Sequence, residues 1–241
     1  MAGRIAYYGN IVKDGLVFDL DAAKRDSYPG GGTVWRDVSG LQNNGTLTNG
    51  PTFDSNNGGS IVFDGVDDYV TDIGLASTFS FIQNIAIFTI DVWVKPNVLG
   101  TAMYFMGNNN GSTGSKGFYL GKLSNNNSWI AATLGVGGQT VINYQSTNFY
   151  TDTNWVNIAI TSNGTNAICY KNGVQFGSQS SNITTLSTGD SARALSVGRI
   201  NNTTTSDYWN GKVAVSRIYN RPLSSSEVLQ NYNALKGRYG L

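Results

Sequence analysis

The sequence predicts an all-β fold: a two-sheet antiparallel β-sandwich with one short C-terminal helix. Three observations predict it. Apolar and polar residues alternate through several segments, turns rich in asparagine and glycine separate those segments, and a helical repeat occurs once, near the end. The 241 residues suit one large sandwich, so the expected division is an N-terminal arm or outer strand over 1–13 and a single domain over 14–241.

The strands follow from period-two patterns. In "FTIDVWVK", Phe88, Ile90, Val92 and Val94 share one face, and Thr89, Asp91, Trp93 and Lys95 share the other. "WVNIAIT" repeats the pattern with Val156, Ile158 and Ile160. "AICYKNGVQFG" places Asn172-Gly173 between two apolar runs, which is a strong hairpin signal. Further strands are expected over 16–20, 117–120, 128–134, 195–200 and 212–219. The helix is expected over about 224–236. Ser224 with Glu227 forms a capping box, Val228, Leu229, Tyr232 and Leu235 make the apolar stripe, and Gly237 after Lys236 stops the helix. That stripe must pack on the sheet, across one end or edge.

Charged residues make up 13% of the chain against about 25% in ordinary soluble domains, and the net charge is +1. A nucleic-acid partner needs a dense basic surface, so that class is excluded. The charge is uneven along the chain. Residues 14–91 carry eleven acids and three bases, whereas residues 92–241 carry four acids and eleven bases. Either the two halves intermix and cancel, or the polarity serves contacts between subunits. The lone Cys169 sits in an apolar segment and reads as a small core residue. The first residues show no secretory signal, and no apolar run reaches membrane-spanning length. Catalysis is disfavoured because the chain has no histidine and a single glutamate, Glu227, already placed at the helix cap. "GVGGQT" lacks the lysine of a phosphate loop.

"FDGVDDYV" (63–70) concentrates three aspartates in an apolar stretch. Ile61 and Phe63 share one parity while Val66 and Val70 share the other, so the chain must turn or shift register near Asp64-Gly65. In a continuous strand Asp67 and Asp68 face opposite ways, and only a looped backbone brings them together on one ion. Turn chemistry and a calcium site therefore both stand. Asp19 and Asp21 share one strand face with Asp37 as a neighbour, which fits an exposed pair balanced by Arg25 or Arg36. Tyr104, Trp129, Tyr144 and Tyr208 lie near asparagine-rich loops, the residue types that make sugar sites, although most large rings in a sandwich are core.

"DGLVFDLDAA", "YPGGGTVWRDVSGLQNNGTLTNGPTF", "GGSIVFDGVDDYV", "FTIDVWVKP", "WVNIAITSNG", "YKNGV" and "GKVAVSRIYNRPLSSSEVLQNY" occur in an order and spacing that span most of the chain. Together they resemble the LamG-like jelly rolls of the concanavalin A-like lectin/glucanase superfamily. The resemblance implies a concanavalin A-like jelly roll with chain ends close together. The opening and closing segments look most like those of virion proteins of tailed bacteriophages. This likeness implies a non-enzymatic capsid decoration or head fibre on the virion surface, made in the host cytoplasm. It would be held to the major capsid protein, to tail subunits or to further copies of itself by protein contacts, without membrane insertion. Ile5, Tyr7 and Tyr8 are then candidate attachment residues, the other option being an outer strand. The alternative is a carbohydrate-binding adhesion module that recognises a host glycan, with or without calcium. Some relatives bind calcium at the sandwich rim, which makes Asp67 and Asp68 the candidate ligands. The paired-glutamate strand of the glucanases is missing, so that activity does not carry over.

Overall fold

A computed structural model describes residues 10–108, 117–122, 135–136, 139–140, 149–177, 180–181, 193–200 and 208–241. The chain opens with β1 (Leu16–Asp21), β2 (Val34–Trp35), β3 (Gly45–Thr48), β4 (Thr52–Asp54), β5 (Ser60–Asp64) and β6 (Tyr69–Ile73). A short α1 (Ser80–Asn84) leads to β7 (Ile87–Pro96), β8 (Met103–Gly107), β9 (Tyr119–Lys122), β10 (Gly135–Val136) and β11 (Gln139–Thr140). Then come β12 (Val156–Asn163), β13 (Asn166–Lys171), β14 (Val174–Gln175), β15 (Ser180–Ser181), β16 (Leu195–Val197), β17 (Asn210–Tyr219) and α2 (Ser225–Leu235).

Two antiparallel sheets face each other across one core, as the alternation predicts. The larger sheet runs β14-β13-β12-β7-β17-β5-β4, with β1 also on β17 and β15 also on β13. The smaller sheet runs β2-β3-β6-β16-β8-β9, and β10 and β11 form a separate hairpin. Strand β17 organises the larger sheet because its free side is shared. Its first half pairs with β5 and its second half with β1. A bulge at Ala214 separates the two registers, and the Ala22 amide donates to the Ala214 carbonyl at 2.9 Å.

The inner faces supply the core: Phe18 and Leu20 from β1, Ile90, Val92 and Val94 from β7, Val70 from β6, and Trp35 and Trp209 beside them. Each such side chain stabilises the fold by about 1.5–3 kcal/mol when fully buried. Cys169 lies in this core, and burial pushes its thiol well up. The sequence pattern anticipates one helix only. Helix α1 has no side-chain cap and holds its place by burying Ile82 and the preceding Phe79.

The outer face of the larger sheet is also buried, which alternation alone does not predict. Helix α2 packs on this face and reaches its β14 edge, and its capping box between Ser224 and Glu227 is present. Val228 and Leu235 are buried as the repeat requires, but Leu229 is exposed and Asn231 takes the inward position instead. The α-helix ends at Leu235 with Lys236 as its C-cap and Gly237 next, where the sequence places the stop. The chain then tightens into a 3₁₀ turn over 236–238, and the left-handed glycine is Gly240. Beneath α2, Trp93 stacks on Tyr239 at 4.1 Å and on Tyr232 at 5.7 Å.

A charge cluster sits under the same cover. Asp19 and Asp91 stand directly opposite Arg217 on its two neighbouring strands. Arg217 Nε donates to Asp19 Oδ1 at 2.9 Å, and its terminal nitrogens lie 3.5 Å from Asp21 and 3.6 Å from Asp91. Arg238 binds Asp21 at 3.0 Å and Lys24 binds Asp19 at 2.8 Å. Asp91 also accepts from Asn157 and Asn231, and Asn231 accepts the Val12 amide. The first described residues therefore lie against the C-terminal helix. Asp19 and Asp21 are not the exposed pair that their spacing suggests: both are buried and use Arg217, Lys24 and Arg238 rather than Arg25 or Arg36. The sequence pattern misses Arg217 and Arg238 because they come from β17 and the turn after α2, about 200 residues away. The same pairing intermixes the acidic and basic halves of the chain.

Burial pushes Asp91 up by more than Arg217, Asn157 and Asn231 bring it down. Burial also raises Asp19, but Arg217 and Lys24 outweigh it and hold that carboxyl below its ordinary range. Replacing Arg217 with Met leaves three buried carboxylates without their shared partner. Urea denaturation should show a loss of about 3–5 kcal/mol. A loss below about 1 kcal/mol would mean that the cluster is not held by its charges.

Candidate functional site

The turn after β5 carries the chain from the larger sheet to β6 of the smaller one, which explains the parity change across "FDGVDDYV". Residues 65–68 leave the strand conformation. Gly65 adopts φ +80°, and a Cβ there would meet Asn210 Cβ at 2.6 Å. The looped backbone brings Asp64 together with Asp67 and Asp68, their carboxylate oxygens within 4.8 Å of one another. Part of this is turn chemistry: Asp64 Oδ1 accepts the Val66 amide at 2.8 Å, and Asp68 Oδ2 accepts the Asp64 amide at 3.0 Å. The spacing also fits a calcium ion, because oxygens bound at about 2.3–2.6 Å can be no more than about 5 Å apart. Burial raises the Asp68 carboxyl, the Asp64 amide pulls it back, and the Asp64 and Asp67 charges push it up again, for a net upward shift.

Beside this turn lies the outer face of the smaller sheet. Tyr69 and Thr71 on β6 stand opposite Thr48 and Thr46 on β3. Ser196 pairs with Gly107, Gly107 with Tyr119 and Tyr104 with Gly121, so these residues share that outward face. Tyr208 joins by a bridge to Tyr104. Four half-buried tyrosines result: Tyr69, Tyr104, Tyr119 and Tyr208. The Tyr104 and Tyr119 rings meet edge-on at 5.1 Å, and Tyr69 and Tyr208 are tilted at 6.4 Å. The Arg199 guanidinium lies 3.4 Å from the centre of the Tyr69 ring. Gly121 makes room for this arrangement, since a Cβ there would fall 2.4 Å from Tyr104 Cδ1. Asp72 sits in a bulge of β6 with φ +62°, a left-handed conformation that is strained for a side-chain-bearing residue. Neither described helix covers this face: α1 packs on β7 and α2 on the larger sheet.

A laminin-G family model of the concanavalin A-like lectin/glucanases superfamily matches residues 63–229. The chain belongs to this superfamily. No curated protein matches it by sequence. Among solved structures, a mutant Trypanosoma rangeli sialidase displaying trans-sialidase activity aligns with TM-score 0.70 and 18% identity, over 95% of this chain and 34% of the sialidase. This chain thus spans about a third of that enzyme. Domain 4 of AbnA, a GH43 extracellular arabinanase from Geobacillus stearothermophilus solved with arabinotriose, aligns with TM-score 0.63 and 18% identity over 90% of this chain and 98% of that domain. The binding domain of Paraclostridial Mosquitocidal Protein 1 gives TM-score 0.64 and 20% identity over 92% and 52%. These identities show a shared superfamily fold and nothing finer.

On this superfamily scaffold Tyr104 and Tyr208, singled out by their loop context, fall on the tyrosine face. Trp129 and Tyr144 lie outside the described residues, as do Ile5, Tyr7 and Tyr8. Sequence reasoning missed Tyr69 and Tyr119. Their signal is parity: each precedes a core residue, Val70 and Leu120, and so must point outward. Asp37 is a structural group whose oxygens accept the amides of Asp19, Ser39 and Asn43. Glu227 is held by Arg221 at 3.1 and 2.6 Å, and by Ser224, which together pull its carboxyl down to about 2.

Calcium bound at Asp64, Asp67 and Asp68 would raise the melting temperature at neutral pH. The raised Asp68 pKa sets the sign of the pH effect. Without calcium, this group's contribution to stability rises as pH falls through its folded pKa toward the unfolded value. Calcium needs the ionised form, so its stabilising effect should fade over the same descent. Identical melting curves in calcium and chelator at every pH would leave the turn purely structural.

Proposed function

We propose that this chain is a non-catalytic carbohydrate-binding domain whose ligand lies across the tyrosine face. The observation that carries this reading is the grouping of Tyr69, Tyr104, Tyr119 and Tyr208 beside Arg199 on one sheet face that neither described helix covers. Sugar rings present apolar C–H faces that stack on aromatic rings, and their hydroxyls take hydrogen bonds from neighbouring polar groups. Thr46, Thr48 and Thr71 supply hydroxyls on the same face, and the acidic turn offers a place for calcium to assist.

Two similar structures support the reading. One is an arabinanase domain solved with arabinotriose, matched over nearly its whole length, and the other is a toxin's binding domain. The sialidase lends no activity to this reading, because the chain aligns with about a third of it at 18% identity. Attachment to a virion through Ile5, Tyr7 and Tyr8 gains nothing from these relatives, which favour sugar binding.

A glycan array that includes arabinan and other neutral oligosaccharides tests the proposal. The wild-type chain should bind at least one glycan class, and Tyr104→Ala and Tyr69→Ala should each weaken binding by about tenfold, or about 1.4 kcal/mol. No binding with or without calcium would overturn it. Binding that ignores both substitutions would move the site elsewhere.

A further inference from the structure

A second concave site lies on the opposite side of the sandwich, where α2 begins. The helix packs on the larger sheet over β7 and β17, groups with Ala159 and Tyr170 and reaches β14, and a concavity remains beside its first turn over Thr161, Ile168 and Gln175. A groove of about 560 Å³ forms there, within the range of about 300–1,000 Å³ usual for small-ligand sites. Ile168 and Tyr170 stand opposite Thr161 and Ala159 on the outward face and make its floor, with Leu223 beside them. Asn163, Asn166 and Gln175 line one side and Ser225 the other.

Part of the polar lining of this groove is uncommitted. Asn163 Oδ1 accepts the backbone amides of Thr165 and Asn166, but no hydrogen bond engages the Asn166 side chain, the Asn163 Nδ2 or the Ser225 hydroxyl among the described residues, and the Gln175 side chain makes only a 3.4 Å contact to the Gly177 carbonyl. Glu227, the one acid in the lining, is neutralised by Arg221. The ligand must therefore be uncharged. On the groove floor it is read by side chains, because the backbone groups beneath are consumed by the β12–β13 and β13–β14 ladders. Side-chain amides offer a donor and an acceptor side by side, the pattern that adjacent hydroxyls on a sugar satisfy.

We propose that this groove is a second carbohydrate subsite, taking a short neutral oligosaccharide independently of the tyrosine face. It deepens the carbohydrate-binding reading and rests on it for the class of ligand. Two sites on opposite faces make the domain bivalent, able to bridge two chains of a polysaccharide or to gain avidity on a dense glycan surface.

Amide chemical-shift mapping by NMR with arabinotriose, and separately with cellotriose, tests the groove. The side-chain amides of Asn163, Asn166 and Gln175 should shift with at least one trisaccharide, both in the wild type and in Tyr104→Ala. The double variant Asn166→Ala, Gln175→Ala alters surface positions, and should weaken the groove titration about tenfold while leaving the tyrosine-face shifts intact. Shifts confined to the tyrosine face overturn the groove and leave the proposed function standing. Shifts confined to the groove support this site and overturn the tyrosine face. Groove resonances unmoved by either trisaccharide at millimolar concentration overturn the inference.

Discussion

The buried cluster around Arg217 is the constraint on which the rest of the architecture depends. A guanidinium held between Asp19 and Asp91 in cross-strand register is tolerated in the interior only because carboxylates on both neighbouring strands pair with it. Arg217 alone cannot neutralise three carboxylates, so Lys24 and Arg238 complete the balance. Helix α2 then closes the cluster with Asn231, which reaches Asp91, Tyr219 and the Val12 amide. One polar solution thus fixes where β1, β7 and β17 lie in register, where the helix docks and where Val12 meets it.

That solution decides which surface remains for function. With one outer face largely sealed, the outer face of the smaller sheet is the sheet surface that neither described helix covers. Aromatic residues show the consequence. Trp93, Tyr232 and Tyr239 stack beneath the C-terminal segment as part of the packing. Tyr69, Tyr104, Tyr119 and Tyr208 have the same chemistry on a sheet that neither described helix covers, and there they become a binding surface. Cover, rather than residue type, separates the two roles.

The sandwich was legible because period-two alternation reports directly on an inner face, as Phe88 to Val94 show. The cap was legible because Ser224 and Glu227 are local. The outer faces were not legible in the same way. A buried Asp19 and an exposed Asp19 have the same neighbours in sequence, and only β17 and α2, both far along the chain, distinguish them. The acidic turn was half legible: parity demanded a change of direction at Asp64-Gly65, but the inclusion of Asp64 with Asp67 and Asp68 depends on the loop's path. Tyr69 and Tyr119 were within reach of the alternation rule, yet context near loops drew attention to Tyr104 and Tyr208 instead. Arg199 could not be found, because its placement over Tyr69 is a tertiary fact.

Tyrosine footprinting by mild nitration, read by mass spectrometry, tests most directly the claim that the smaller sheet carries the working face. Tyr69, Tyr104, Tyr119 and Tyr208 should be modified well before the buried Tyr170, Tyr219 and Tyr239. They should become protected when the strongest glycan ligand is added. Equal labelling of both sets, or four tyrosines whose labelling a bound glycan leaves unchanged, would contradict the account.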